Sequence, residues 1–468
     1  LFGYYEAGAD IPGEQMPGSQ VYTCLSHDII AHETTHAILD GMHRRYNEAT
    51  NPDVLAFHEG FADIVALMQH FTIREVLERE ISRTRGDLEA ESMLGSLAVQ
   101  FGQTSGRRGA LRNAIGRMEN GRWTRFVPDP ADLQKRVTPH ARGAVLVAAV
   151  FDAFLAIYRA RTADLLRIST GGTGVLPGGA LHPDLVHRLA DEAAKSAGHV
   201  LNMCIRALDY LPPVDVTFFE YLRALVTADF DLVANDRYGY RVAFVEAFRR
   251  RGIYPLNLGE SGPDIPRTLS VDTLRWQGLA RSLVPARQWA AVQKEYAAVI
   301  QQLKQYAGAC LYQSGRESLF TDTYRERIAL HKRLEGVFKK LPAFAAELGL
   351  DRNQGFEVHA LRSAIRTAPD GRSAPEVIVS LTQTRTVAAD RSTGTPKHTF
   401  RGGSTLVADL TTGRLKYRII KNIKSEHRAE RTAAYMRETA ADPLRALFVA
   451  PGDAEPFAAL HALHDESL

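Results

Sequence analysis

The stretch HDIIAHETTHAILDGMH, from His27 to His43, carries four histidines in seventeen residues, and two of them bracket a glutamate as His32-Glu33-Thr34-Thr35-His36. Residues four apart on a helix face the same way, so His32 and His36 aim two imidazoles at one point. Neutral imidazole nitrogen is a ready zinc ligand, and a catalytic zinc keeps three protein ligands and one position open to water. Glu33 stands beside that position, where a carboxylate can take up a proton from water. In a chain with 16 histidines the HExxH pattern can also arise by chance, and two histidines are only part of a site. A third ligand has to come from elsewhere.

The segment FHEGFADIVAL offers one. If it forms a helix packed antiparallel against the first, Glu59 reaches the metal as the third protein ligand. Asp63, one turn on, then accepts the spare ring N–H of His32 and fixes its tautomer. The plainer alternative is a carboxylate pair near a helix start, stabilised by the dipole. Two acids on an otherwise apolar helix weaken that alternative, because buried charge needs a partner. The pattern therefore points to Zn2+ held by His32, His36 and Glu59, with Glu33 as general base and Asp63 behind His32.

These groups need helices to position them. Ser26 is a suitable N-cap, with Asp28 in the first turn, for a helix over about 27–43. Asn51 and Pro52 start a second over 53–71, whose stripe of Phe57, Phe61, Ile64, Val65, Met68 and Phe71 marks a buried face. His27 and His43 fall at the wrong phase for the same metal and read as polar-face residues. A charged, glycine-punctuated region covers about 72–139. GAVLVAAVFDAFLAIY, over 143–158, is apolar nearly all round, as a core helix should be. Further helices are expected near 183–208, 217–230 and 238–250, and the glycine-rich 171–179 reads as a connection.

Beyond about 258 the character changes. Residues 286–307 and 322–341 predict exposed amphipathic helices. From 356 onward apolar residues alternate, predicting a four-stranded antiparallel sheet with turns at Asp370-Gly371 and Gly413, then helices. In RLKYRIIKNI the alternation of Arg414, Lys416 and Arg418 with apolar residues predicts a strand with one solvated face. The whole is an α+β chain in three parts: 1–258 with the metal motif, a helical connector over 259–350, and an α+β module over 351–468.

With 468 residues, 45% apolar and 24% charged, the composition is that of a globular protein of two or three domains. A net charge of +3 gives no reason to expect a nucleic-acid partner, and no apolar run reads as a membrane span. Three scattered cysteines, Cys24, Cys204 and Cys310, show no disulfide framework and favour a reducing, cytoplasmic setting. The chain opens at Leu1, so residues preceding it would reopen a secreted one. Oligomeric state is not legible.

HETTHAILDG followed by HEGFADIVAL resembles the glutamate-type zinc peptidases, the gluzincins, in their thermolysin-like branch. PHARGAVLVAAVFDAF is similar to the family segment in which a histidine precedes the long central helix. MCIRALDYLPPVDVTFFEYLRALVTADFDLV and AFVEAFRRRGI resemble that lobe's closing helices. The resemblance covers roughly residues 1–255. It implies a peptidase acting on peptide or protein substrates with zinc at His32, His36 and Glu59 and with Glu33 as base. It further implies His140 and Tyr46 as donors to the oxyanion of the intermediate, and Arg112 as a brace for the substrate carbonyl. Leu111 and Ile29 fall near the family's apolar pocket, implying a bulky apolar residue after the scissile bond.

Three departures stand out. The 22 residues between His36 and Glu59 imply a small insertion between the helices. His70 stands where the family pattern would pair an acid with Asp28, so the double calcium site is expected to be absent. Only about thirty residues precede the motif, where the family has a β-rich lobe, so the chain is expected to be a piece of a longer one. Two other readings stay open: an aminopeptidase on the same site, and a regulatory or binding protein whose zinc lobe is structural. An intact Glu33 argues against the second.

Overall fold

A computed structural model describes residues 4–6, 18–89, 116–119, 122–255, 270–278, 285–310, 313–367 and 371–441. Strands β1 (Tyr4–Glu6) and β2 (Gln20–Tyr22) pair antiparallel ahead of α1 (His27–Met42). Helices α2 (Pro52–Gln69) and α3 (Arg74–Thr84) follow, then the pair β3 (Gly116–Glu119) and β4 (Arg122–Arg125). Next come α4 (Asp132–Lys135), α5 (Pro139–Ser169), α6 (Pro183–Ala207), α7 (Phe218–Phe230), α8 (Tyr240–Arg250) and α9 (Val271–Leu274). The last part holds α10 (Ala286–Cys310), α11 (Arg316–Lys340) and α12 (Pro342–Glu347). Strands β5 (Phe356–Thr367), β6 (Ser373–Val387), β7 (His398–Asp409) and β8 (Arg414–Lys421) form an antiparallel meander in that order, and α13 (Glu426–Ala441) follows.

The α+β class is as expected, and so are the helices of the metal motif. Ser26 caps α1 with its hydroxyl toward Ile29 N. Asn51 caps α2, its side chain accepting from Asp53 N at 2.7 Å with Pro52 in the first turn. Helix α3 lies inside the charged stretch 72–139 and carries no clear signal in the sequence, because only Leu77, Ile81 and Thr84 of it are buried.

Helix α5 runs through the centre of the lobe. Its 31 residues make it about 46 Å long at the usual rise per residue. By length and composition it could cross a membrane, which the sequence reading had not credited to any run. However, 78% of its apolar window is inside the fold, as a core helix requires.

The connector and module do not stand apart from the lobe. Val407, Tyr417 and Ile419 join the core of α1–α9, while Val377, Val379, Leu381, Leu406 and Ala408 pack with α10–α12. The sheet is thus the middle of three layers, covered on both faces. Of the basic residues expected on a solvated face of β8, Arg414 is exposed, Lys416 is half-buried and Arg418 is buried, which corrects the expectation for Arg418. Arg418 is 1% exposed and ion-paired with Glu347, and Lys416 reaches Asp231 at 2.8 Å and Glu376 at 2.7 Å. A cation in a covered sheet is tolerable only where an acid faces it.

One link between layers falls on the cap of α2. Asp215, in the left-handed region at φ +56°, accepts from Asn51 Nδ2 at 2.7 Å and Thr50 Oγ1 at 2.8 Å. The same carboxylate takes Arg428 Nη2 of α13 at 2.9 Å, with Lys421 of β8 nearby. Burial works against its charge, but Lys421, Arg428 and the two donors outweigh it and hold the carboxyl well below the usual range. Such a group adds stability above its unfolded pKa and loses it as pH falls toward the folded one. Asp215→Asn is expected to cost about 3 kcal/mol in urea unfolding at pH 7, by leaving two cations under-compensated. The gap to wild type should close below about pH 4, where the wild-type carboxyl begins to protonate in the unfolded chain.

Candidate metal centre

Helices α1 and α2 pack antiparallel. His32 meets Asp63, His36 meets Glu59, and Asp40 meets His58, so one helix number rises as the other falls. Three ligand atoms converge at the crossing. His32 Nε2 and His36 Nε2 are 2.9 Å apart, and Glu59 Oε2 is 3.4 Å from the first and 3.6 Å from the second. Ligand atoms 2.0–2.2 Å from a tetrahedral zinc stand roughly 3.3–3.6 Å apart. The two edges to Glu59 fall in that range and the His32–His36 edge is shorter, so the three atoms form a cluster of a size that could hold a small cation.

The electrostatics of the pocket agree. Glu59 is 1% exposed. Burial works against its carboxylate, but His140, His36 and His32 hold it well below the usual range. On His32, burial opposes a charge, yet Asp63 and Glu59 outweigh it and push the imidazole up to about 10. Without a metal, His32 thus carries the cation that balances the buried acids. An incoming metal ion must displace that proton, so its binding and proton release are linked. Asp63 Oδ1 lies 2.8 Å from His32 Nδ1, the orienting contact expected from the sequence.

His140 joins this cluster. It sits in the first turn of α5, which Thr138 caps and Pro139 starts, with Nε2 3.3 Å from Glu59 Oε2. A close helix crossing places it there. A Cβ on Gly60 would lie 2.8 Å from Gly143 O, and one on Gly143 would lie 2.8 Å from Ala56 O. The backbones of α2 and α5 touch where any side chain would hold them apart. Arg142 Nε, donating to Asp53 Oδ1 at 2.5 Å, pins the start of α5 to the start of α2. Glu33 lies half-buried on α1, beside His32.

Other assignments change. Tyr46 is fully buried, and its hydroxyl donates to Pro212 O at 2.6 Å. Its ring stacks on His43 and meets Phe57 edge-on. It is a core residue whose hydroxyl is already engaged, and no contact among the described residues brings it to the His32–His36–Glu59 cluster. His43 is likewise buried rather than on the polar face, because the sheet layer covers the end of α1. Arg112 and Leu111 lie outside the described residues. His70 Nε2 is 2.8 Å from Asp28 Oδ1, so an imidazole faces this acid.

One pair escaped the sequence reading. His58, adjacent to Glu59 and 0% exposed, has Nδ1 2.5 Å from His36 Nδ1 and Nε2 3.3 Å from Asp40 Oδ1. The signal was present: a histidine on an apolar helix beside a ligand, and an acid four residues after His36.

The glycine crossing is testable by stability. Gly143→Ala should lower stability by about 1–3 kcal/mol through overpacking. Gly308→Ala, in α10 with nothing within 4 Å of the added Cβ, should be neutral or stabilise by up to about 1 kcal/mol. Thermal or urea unfolding of the two variants beside wild type reads the contrast.

No protein-family model, curated protein or solved structure matches this chain.

Proposed function

We propose that this chain is a zinc-dependent peptidase with a lobe of the thermolysin-like kind, acting on peptide or protein substrates. The convergence of His32, His36 and Glu59 on one cation-sized triangle carries this reading. It draws further support from HExxH on a single helix, from Asp63 behind His32, and from His140 at the same cluster. A purely structural metal site would have no use for Glu33 beside the ligands or for His140 at their edge.

When bound, zinc supplies Lewis-acid activation of water and of a carbonyl oxygen. The rest falls to side chains. Glu33, one residue past His32 and half-buried, is placed to take a proton from the attacking water and return it to the departing amine nitrogen. His140, with a side chain 17% exposed, is open to substrate and can donate a hydrogen bond to the oxyanion as it develops. Asp63 keeps the Nε2 of His32 turned toward the other ligands.

The test compares the full 468-residue chain with Glu33→Gln, Glu59→Gln and His140→Ala, reading zinc content by mass spectrometry and cleavage of a mixed peptide pool. Wild type and Glu33→Gln should each hold one equivalent of zinc, with cleavage down at least about 100-fold in the variant. Glu59→Gln should lose zinc. His140→Ala should keep zinc and lose about 100- to 1000-fold in kcat, as removal of an oxyanion donor does. Zinc in wild type without any cleavage would point to a binding protein, and a wild type that takes up no zinc would end the reading.

A further inference from the structure

We infer that His58 and Asp40 form a relay that fixes the tautomer and aim of His36, an inference that rests on the zinc reading. The two ligand histidines are oriented in different ways. His32 meets a carboxylate directly, Asp63 at 2.8 Å. His36 meets a second imidazole first. The rings of His36 and His58 have centroids 4.8 Å apart and planes 20° apart, and their Nδ1 atoms are 2.5 Å apart, so the two rings meet edge to edge. The far nitrogen of His58 then faces Asp40 at 3.3 Å. Asp40 lies one turn along α1 from His36, so the ring on α2 slots between two residues of α1.

Hydrogen-bond chemistry allows one direction through these groups. A neutral imidazole has one N–H and one bare nitrogen. His36 points Nε2 at His32 and Glu59, and a metal-binding nitrogen must be bare. Its proton therefore sits on Nδ1 and is donated to Nδ1 of His58. His58 then keeps its own proton on Nε2, where ionised Asp40 can only accept. Reversing the chain would place a proton on His36 Nε2 and remove it from the ligand set. Asp40 terminates the chain at the surface, its side chain 34% exposed, whereas His58 is sealed inside. The relay holds a buried ligand in register from a carboxylate that remains in contact with water.

His58 and Asp40 are thus positioning residues, and the readouts are metal affinity and coordination geometry rather than turnover. Zinc dissociation constants come from chelator competition on the full chain, and geometry from the visible absorption of the cobalt-substituted protein. Metal-free melting curves serve as the control for folding. Asp40→Ala is expected to fold as wild type, because the side chain is partly exposed, yet to bind zinc about 10- to 100-fold more weakly with altered cobalt bands. Asp40→Asn keeps an acceptor oxygen and should restore most of the affinity and the wild-type spectrum. His58→Leu should match Asp40→Ala in affinity. Wild-type affinity and an unchanged spectrum in Asp40→Ala would overturn the relay while leaving the zinc reading intact. Absence of zinc from the wild type would overturn both.

Discussion

A carboxylate taken out of water must be met by positive charge or by donors, and Glu59 imposes that demand on the centre of the lobe. It lies on an apolar helix pressed between α1 and α5, where an unpaired anion would cost several kcal/mol. Three imidazoles answer it, two from α1 and one from the start of α5. The antiparallel packing of α1, the touching backbones at Gly60 and Gly143, and the clamp of Arg142 on Asp53 all serve to place those rings. Two of the three imidazoles that face Glu59, those of His32 and His36, are also the groups that could hold a cation with it.

The layering extends this logic outward. A four-stranded sheet covered on both faces buries its charged residues along with its apolar ones. The structure answers with acids: Glu347 of α12 for Arg418, Asp231 at the end of α7 and Glu376 of β6 for Lys416, and Asp215 for Arg428 of α13. Buried pairs of this kind add little net stability compared with apolar packing, but each is costly to break. They therefore fix how the sheet sits on the lobe more than they strengthen the fold.

The sequence was most readable where the physics is local. Caps at Ser26 and Asn51, helical spacing in HETTH and EGFAD, and period-two alternation after residue 356 depend on near neighbours, and those elements were found within a few residues. What it could not reveal depends on distant partners. Tyr46 seemed available for catalysis because nothing nearby shows that Pro212 accepts its proton. The basic residues of β8 looked solvated because Glu347 and Asp231 are far away in the chain. His58 is hard to single out in sequence, since the acid beside it already accounts for a polar site on this apolar helix and Asp40 meets it only across the helix pair.

The tie between Asn51 and Asp215 has a temporal side as well. Asp215 meets Arg428 across 213 residues, and Glu48 meets Arg401 across 353. The helix bearing Glu59 is made well before the cations of β8 and α13 that complete the anchor of its cap. At about 5–20 residues per second, that interval is on the order of tens of seconds. During it α2 has its own cap and apolar face but not the buried ion pairs that seat it. The buried ion pairs on the cap of α2 can therefore close only after β8 and α13 have been made.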